Sequence, residues 1–218
     1  SFVGILPSKD SDAMNHYTFT GWDRELTNIQ ADMTTKPMPP LNPSTKEPLT
    51  VDDLAQIFPR ECCVQELDTE NAWIDIPEDV LEKYKFYRST PLVRAYALEE
   101  ALGTPAHIYF KNESVNPLGS HKINSALPQC YYAKQEGTEN VTTETGAGQW
   151  GMALSYASKL YGLEAAVYQV KITMQQKPYR STVMRTFGAA VTASPSMSTR
   201  AGKDIITRDP RHPGSLGT

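Results

Sequence analysis

Asn140-Val141-Thr142-Thr143-Glu144-Thr145-Gly146-Ala147-Gly148-Gln149-Trp150-Gly151 passes from a β-branched run through a glycine-rich turn into a helical pattern. Asn140 to Thr143 reads as a strand, and Gln149 to Leu160 as a helix that ends at Gly162. The same unit then repeats. Leu163 to Val170 is a strand, Gln175 to Phe187 a helix stopped at Gly188, Ala189 to Ala193 a strand, and Thr199 to Arg208 a last helix. Upstream, Ser120 can cap a helix that runs to about Gln135 and stops at Gly137. Strand and helix alternating with glycine stops is the pattern of parallel βαβ units, so the fold class is α/β. Small residues on the second helix, Ala153, Ser155, Ala157 and Ser158, allow close approach to a sheet.

In open α/β sheets ligands bind beyond the carboxyl ends of the strands. That rule directs attention to two loops. The first follows the strand-like His107-Ile108-Tyr109-Phe110-Lys111 and the turn Asn116-Pro117-Leu118-Gly119, and reads Gly119-Ser120-His121-Lys122-Ile123-Asn124. Lys122 falls about two positions inside a helix start, where the dipole disfavours a positive charge. The unpaired N–H groups of that turn can hold an anion such as phosphate, with Ser120 and His121 as further donors. A lysine beside a phosphate-friendly helix start suits pyridoxal phosphate, whose aldehyde and phosphate lie at opposite ends of one ring; a solvated surface lysine is the plain alternative.

The second loop is the 144–151 turn itself. Its backbone can converge N–H groups on an anion. It lacks the Gly-Lys-Ser/Thr ending of a nucleotide loop and does not fit Gly-x-Gly-x-x-Gly, so a carboxylate is the better ligand. Glu144 at the strand end can act as acid and base. A tight-packing turn with Glu144 as a helix-start charge is the structural alternative.

Working outward, Ser89-Thr90-Pro91-Leu92-Val93-Arg94 is extended, and Ala97 to Leu102 is a short helix ending at Gly103. Residues 1–88 are rich in turn formers. Lys36-Pro37-Met38-Pro39-Pro40-Leu41-Asn42-Pro43 sustains neither helix nor central strand, while Thr50 can cap a short helix over 51–58. This zone is expected to be an arm that packs on something larger.

The chain has 218 residues, 39% hydrophobic and 21% charged, with a formal net charge of −4. That balance argues for a soluble globular protein and against nucleic acid as a partner. No apolar run reaches membrane-spanning length, and the start at Ser1 shows no secretory pattern. Cys62, Cys63 and Cys130 have no metal-knuckle spacing and are expected to be reduced, as in the cytoplasm. His16, His107 and His212 have no ligand-like spacing, so no metal site is expected. Pro128 falls inside the helix that Lys122 opens and should kink it, at about 3 kcal/mol if nothing compensates.

Arg88-Ser89-Thr90-Pro91-Leu92, the Lys122 loop and the Glu144–Gly151 loop together resemble tryptophan synthase β chains, closest to the second, longer type with an extended N-terminal arm. Gln176-Lys177-Pro178-Tyr179-Arg180 and His212-Pro213-Gly214-Ser215-Leu216-Gly217 support the resemblance, as does Trp150 where the commoner type has histidine. It runs from Asp23 onward. It implies the fold of fold-type II pyridoxal-phosphate enzymes, incomplete at the C-terminus, with 1–88 as arm and extension. Residues 89–122 would be the strand-loop segment of the cofactor domain ending at the Schiff-base lysine, and 123–218 the mobile N-terminal α/β domain. On this resemblance the half that carries the phosphate cup would lie outside the sequence, in which no Gly-Gly-Gly-Ser-Asn run occurs.

The resemblance further implies that pyridoxal 5'-phosphate forms its Schiff base on Lys122, with His121 near the phosphate, Ser120 beside it and Asn124 near the ring oxygen. Glu144 would be the acid/base, and Thr145, Gly146, Ala147, Gly148 and Gln149 would bind the substrate carboxylate. The implied reaction replaces the β-substituent of L-serine, or of O-phosphoserine, with indole to give L-tryptophan. A homodimer and a tryptophan synthase α chain are the implied partners. The alternatives are another lyase of the same fold type, such as a serine dehydratase, or a shortened interaction fragment without catalysis.

Overall fold

A computed structural model describes residues 24–217; His16 and the first part of the expected arm lie outside them. The arm is made of short pieces. β1 (Glu25–Thr27) is followed by the proline-rich stretch, which forms only one isolated bridge, Leu41 to Pro48. α1 (Val51–Leu54) begins with the expected cap: Thr50 and Asp53 exchange side-chain and backbone hydrogen bonds. α2 (Arg60–Leu67), β2 (Trp73–Asp75) and α3 (Glu78–Tyr84) complete it, with β1 and β2 antiparallel. Val80, Leu81 and Tyr84 on α3 are buried against the helix that follows Lys122, so the arm is packed on the α/β body.

β3 (Leu92–Arg94), α4 (Tyr96–Leu102) and β4 (Tyr109–Lys111) come next, and α4 stops at Gly103 as expected. β3 and β4 pair with each other, antiparallel, and do not join the main sheet. The carboxyl-edge rule therefore applies to the loop after Thr145 but not to the loop after Lys111.

The body consists of α5 (Ile123–Gln135), β5 (Asn140–Thr145), α6 (Gln149–Tyr161) and β6 (Glu164–Val170), followed by α7 (Lys171–Gln176), α8 (Pro178–Thr186), β7 (Ala190–Ser194) and α9 (Arg200–Arg208). β5, β6 and β7 form a parallel sheet in that order, so the α/β reading holds. The single helix expected over 175–187 is two helices, because Pro178 opens a new one at its first position, where the missing N–H costs nothing. α5 starts later than expected: Lys122, not Ser120, is its N-cap. It runs through Pro128 to Gln135, the end expected for it.

One face of the sheet is covered by α6 and α8. It carries Thr145 on β5, Val167 and Gln169 on β6, and these are buried. Alternation puts Thr142 and Glu144 on the other, more exposed face. Ala153, Ser155, Ala157 and Ser158 are all fully buried, which is the close approach their size permits. Gly151 marks the tightest point: a Cβ there would lie 2.6 Å from Met184 Sδ and 2.9 Å from Val167. Ile123 and Leu127 on α5 are completely buried in the larger core. Each such side chain contributes about 1.5–3 kcal/mol.

Candidate functional site

Both loops singled out in the sequence begin helices, and chain topology puts those beginnings at one end. α5 reaches β5 through 136–139, and α6 reaches β6 through Gly162 and Leu163, so both helices finish near the amino edge of the sheet. α5 and α6 lie side by side. Cys130 meets Ser158 at 3.7 Å, and one residue further along α5, Tyr131 stacks edge-on with Tyr161. The contacts advance together, so the helices run in the same direction, and their N-termini point toward the carboxyl edge. Two N-terminal dipoles thus face the same side, an arrangement that favours anions.

Lys122 caps α5 with its side chain half-buried, and its amine makes no ion pair or hydrogen bond with another described residue. Ser120 is buried, and its hydroxyl accepts from the Lys122 N–H at 3.4 Å, so it braces the turn rather than capping the helix. His121 is exposed. Asn124 is held on three sides: Tyr87 donates to its Oδ1 at 2.8 Å, Tyr84 to its backbone carbonyl at 2.5 Å, and its Nδ2 reaches Glu113 at a long 3.4 Å. Asn116 fastens the loop from below, donating to the Ser120 carbonyl at 2.9 Å and accepting from the Leu118 N–H at 3.0 Å.

Glu113 was not singled out by the sequence, yet it organises this region. It accepts from Thr90 at 2.6 Å and from Asn116 at 3.1 Å. Burial opposes its charge, but these bonds, with Asn124 and the Lys111 ammonium, outweigh burial and hold its carboxyl below the ordinary value. The only sequence signal was a lone acid in a polar turn.

The 144–151 loop is built with its carbonyls turned back into the protein. Thr173 donates to the Gly146 carbonyl, Arg180 Nη1 to the Ala147 carbonyl at 2.6 Å, and Met152 N–H to the Gly148 carbonyl at 3.0 Å. The N–H groups of Ala147, Gly148, Gln149 and Trp150 meet no acceptor among the described residues. Thr145 is buried, with its hydroxyl accepting from Gly151 N–H at 3.2 Å, and Trp150 Nε1 donates to Thr143 at 2.9 Å. Gly148 has φ 98°, and a Cβ on it would touch Arg180 at 3.0 Å and Gln169 at 3.2 Å. Only glycine fits there.

A strap crosses the carboxyl edge from β7 to β5. The Pro213 carbonyl accepts from Ile172 N–H at 2.9 Å, Gly214 packs on the Ser194 carbonyl, and Leu216 lies beside Gly146. Gly217 N–H then donates to the Glu144 carboxylate at 2.6 Å. Glu144 is therefore tethered at the sheet edge, on the exposed face.

Residues 84–212 match the family described as "Pyridoxal-phosphate dependent enzyme". The chain belongs to this family. Among curated relatives it is 53% identical over 190 residues to "Tryptophan synthase beta chain 2" of Thermotoga maritima, covering 87% of this chain and 45% of that one. To the protein of the same name from Aquifex aeolicus it is 52% identical over 179 residues, covering 82% and 41%. The "Tryptophan synthase beta chain" of Thermococcus gammatolerans is 52% identical over 191 residues, covering 87% and 43%. The chain thus spans less than half the length of these relatives. A solved pyridoxal 5'-phosphate-dependent aspartate racemase is similar with a TM-score of 0.45 and 25% identity, over 62% of this chain and 45% of that one.

As a member of the pyridoxal-phosphate dependent enzymes the chain should offer an amine for covalent attachment and donors for anions. The unpaired Lys122 amine at the N-terminus of a 13-residue helix fits that need. Gln169 on β6 and Thr173 on α7, which lie against the 146–148 loop, escaped the sequence reading, and Arg180 entered it only within the 176–180 stretch that supports the resemblance. No group of three or more metal-type ligands occurs among the described residues; His212 Nδ1 accepts from Gly214 N–H at 3.0 Å. No described helix is long and apolar enough to cross a membrane.

Proposed function

We propose that this chain is part of a tryptophan synthase β chain that joins L-serine and indole to give L-tryptophan. The observation that carries the reading is the orientation of the 146–150 peptides. Carbonyls anchored by Thr173, Arg180 and the first turn of α6 leave four N–H groups for a carboxylate. The names of the relatives supply the substrate class.

In this reading Lys122 holds pyridoxal phosphate covalently, the turn 120–124 borders it, and Asn124 is kept in position by Tyr84 and Tyr87. When bound, the cofactor acts as an electron sink that makes the α-proton of an amino acid removable. Lys122 takes that proton and later returns it to the same carbon. Glu144 protonates the departing β-oxygen of serine and then accepts the proton from indole nitrogen as the new carbon–carbon bond forms. Thr145 to Gln149 grip the α-carboxylate, which fixes the α-carbon relative to Lys122 and supplies orientation in place of diffusion. O-phosphoserine is the alternative donor substrate. The division into an arm (1–88), a cofactor-domain segment (89–122) and a mobile domain (123–218) belongs to the same reading, as do a homodimer, an α-chain partner and a cytoplasmic setting.

The test uses the full-length protein loaded with pyridoxal phosphate. Lys122→Ala should abolish the absorption band of the lysine-bound cofactor, whereas Glu144→Ala should keep the band and lose conversion of indole to tryptophan. A band of unchanged strength in the first variant refutes the role of Lys122. Sustained synthesis in the second refutes that of Glu144.

A further inference from the structure

The 146–148 loop rests on a buried donor that has nothing to bond. Gln169 lies on β6 opposite Thr145 and is 0% exposed. Ser181, itself 2% exposed on α8, donates its hydroxyl to Gln169 Oε1 at 2.9 Å. That bond turns the amide so that Nε2 faces Gly148, within 3.2 Å of where a Cβ there would sit. Nε2 is buried without an acceptor. An amide N–H shut away from water and left unpaired is unfavourable, so the apolar isostere would serve packing better.

We propose that Gln169 is a positioning residue for the carboxylate loop, supplying a hydrogen bond to an Ala147 or Gly148 carbonyl when the amino-acid substrate is bound. The inference rests on the reading that 145–149 bind the substrate carboxylate. Each of these carbonyls already accepts one bond, from Arg180 and Met152 respectively, and each keeps a second lone pair. A carboxylate accepting from the N–H side of these peptides polarises them and makes their carbonyls stronger acceptors on the opposite side. Nε2 lies beneath Gly148, 3.2 Å from where a Cβ would sit, so an inward shift of the loop that brings a carbonyl onto it would complete the bond. The unfavourable term of the free state is then relieved only in the bound state. Gln169 touches neither cofactor nor substrate; it tunes affinity through the loop. Ser181 acts one step further back, by holding the amide in the useful orientation.

The full-length holoenzyme tests this with Gln169→Met, which keeps length and volume but removes the donor. We expect the KM for L-serine to rise about tenfold, the scale of one lost hydrogen bond, with kcat changed less than about twofold. The cofactor band should be unchanged, and the unfolding temperature of the serine-free enzyme should not fall. Ser181→Ala, which releases the amide without emptying the sheet interior, should raise KM in the same direction. An unchanged serine KM in either variant overturns the inference. So does a Gln169→Met enzyme that loses stability and cofactor together, because that pattern marks a purely structural glutamine. A wild-type enzyme that makes no tryptophan overturns the functional reading beneath it instead.

Discussion

The hydroxyl of Tyr84 donates to the backbone carbonyl of Asn124 at 2.5 Å, and that carbonyl is the one a regular helix would pair with the N–H of residue 128. Residue 128 is proline, which has no N–H to give. A side chain on α3 therefore replaces a main-chain donor missing from α5. Tyr84 is 3% exposed, so without it the carbonyl would be buried and unpaired. Tyr87, three residues along, bonds the side chain of the same asparagine. The arm is thus pinned two residues beyond Lys122.

Tyr84→Phe should cost about 1–3 kcal/mol of stability, the penalty for leaving a buried acceptor unmet. Urea denaturation measures it. In a Pro128→Ala background the restored N–H can serve Asn124, and the cost of Tyr84→Phe should shrink. Equal costs in both backgrounds would show that the two sites are not coupled.

Stability should also fall on the alkaline side. Burial pushes the Tyr84 phenol up from 10.0 to about 12, with Tyr132 adding and Arg88 opposing. The unfolded chain therefore loses this proton at a lower pH than the native one. The stabilisation is complete below pH 10 and disappears as pH rises toward 12, a loss on the order of 3 kcal/mol. Denaturation curves across that range should steepen in their pH dependence, and Tyr84→Phe should flatten this component.

What the sequence makes legible is local. The strand over 140–145, its helix and the glycine stop at 162 follow from periodicity and capping, which need no partner. The Lys122 and Glu144 loops stand out because their residue types suit chemistry. Partnership is another matter. Nothing local says that Tyr109–Lys111 pairs with Leu92–Arg94 rather than with the parallel sheet, since a short strand looks the same in either. Pro128 reads as a kink because its compensation comes from Tyr84, far back in the chain. Gln169 is an odd polar residue in an apolar strand, but only register places it under Gly148.

Gly151→Ala should destabilise the fold by about 1–3 kcal/mol, as overpacking does. Its methyl would meet Met184 Sδ at 2.6 Å, Thr145 Cγ2 at 2.9 Å and Val167 Cγ1 at 2.9 Å. Only the methionine is flexible enough to yield. A second change, Met184→Ala, should therefore cost less in the Gly151→Ala protein than in the wild type, as read by thermal unfolding of all four variants. Independent effects would mean that the strain is relieved elsewhere.

Arg180 offers a separate handle on the loop. Its Nη1 donates to the Ala147 carbonyl at 2.6 Å, and its stem packs on Gly148. Arg180→Met retains most of the stem but frees the peptide to rotate, which would turn its N–H away from a bound carboxylate. On the proposed function the effect belongs to substrate binding: in the full-length protein the KM for L-serine should rise by about tenfold or more, since a charge-assisted bond is stronger than a neutral one. Indole concentration dependence should hardly change, because indole has no carboxylate to be gripped. Steady-state kinetics with each substrate varied in turn separates the two. Equal increases in both KM values would mean that Arg180 supports the whole domain rather than this one peptide.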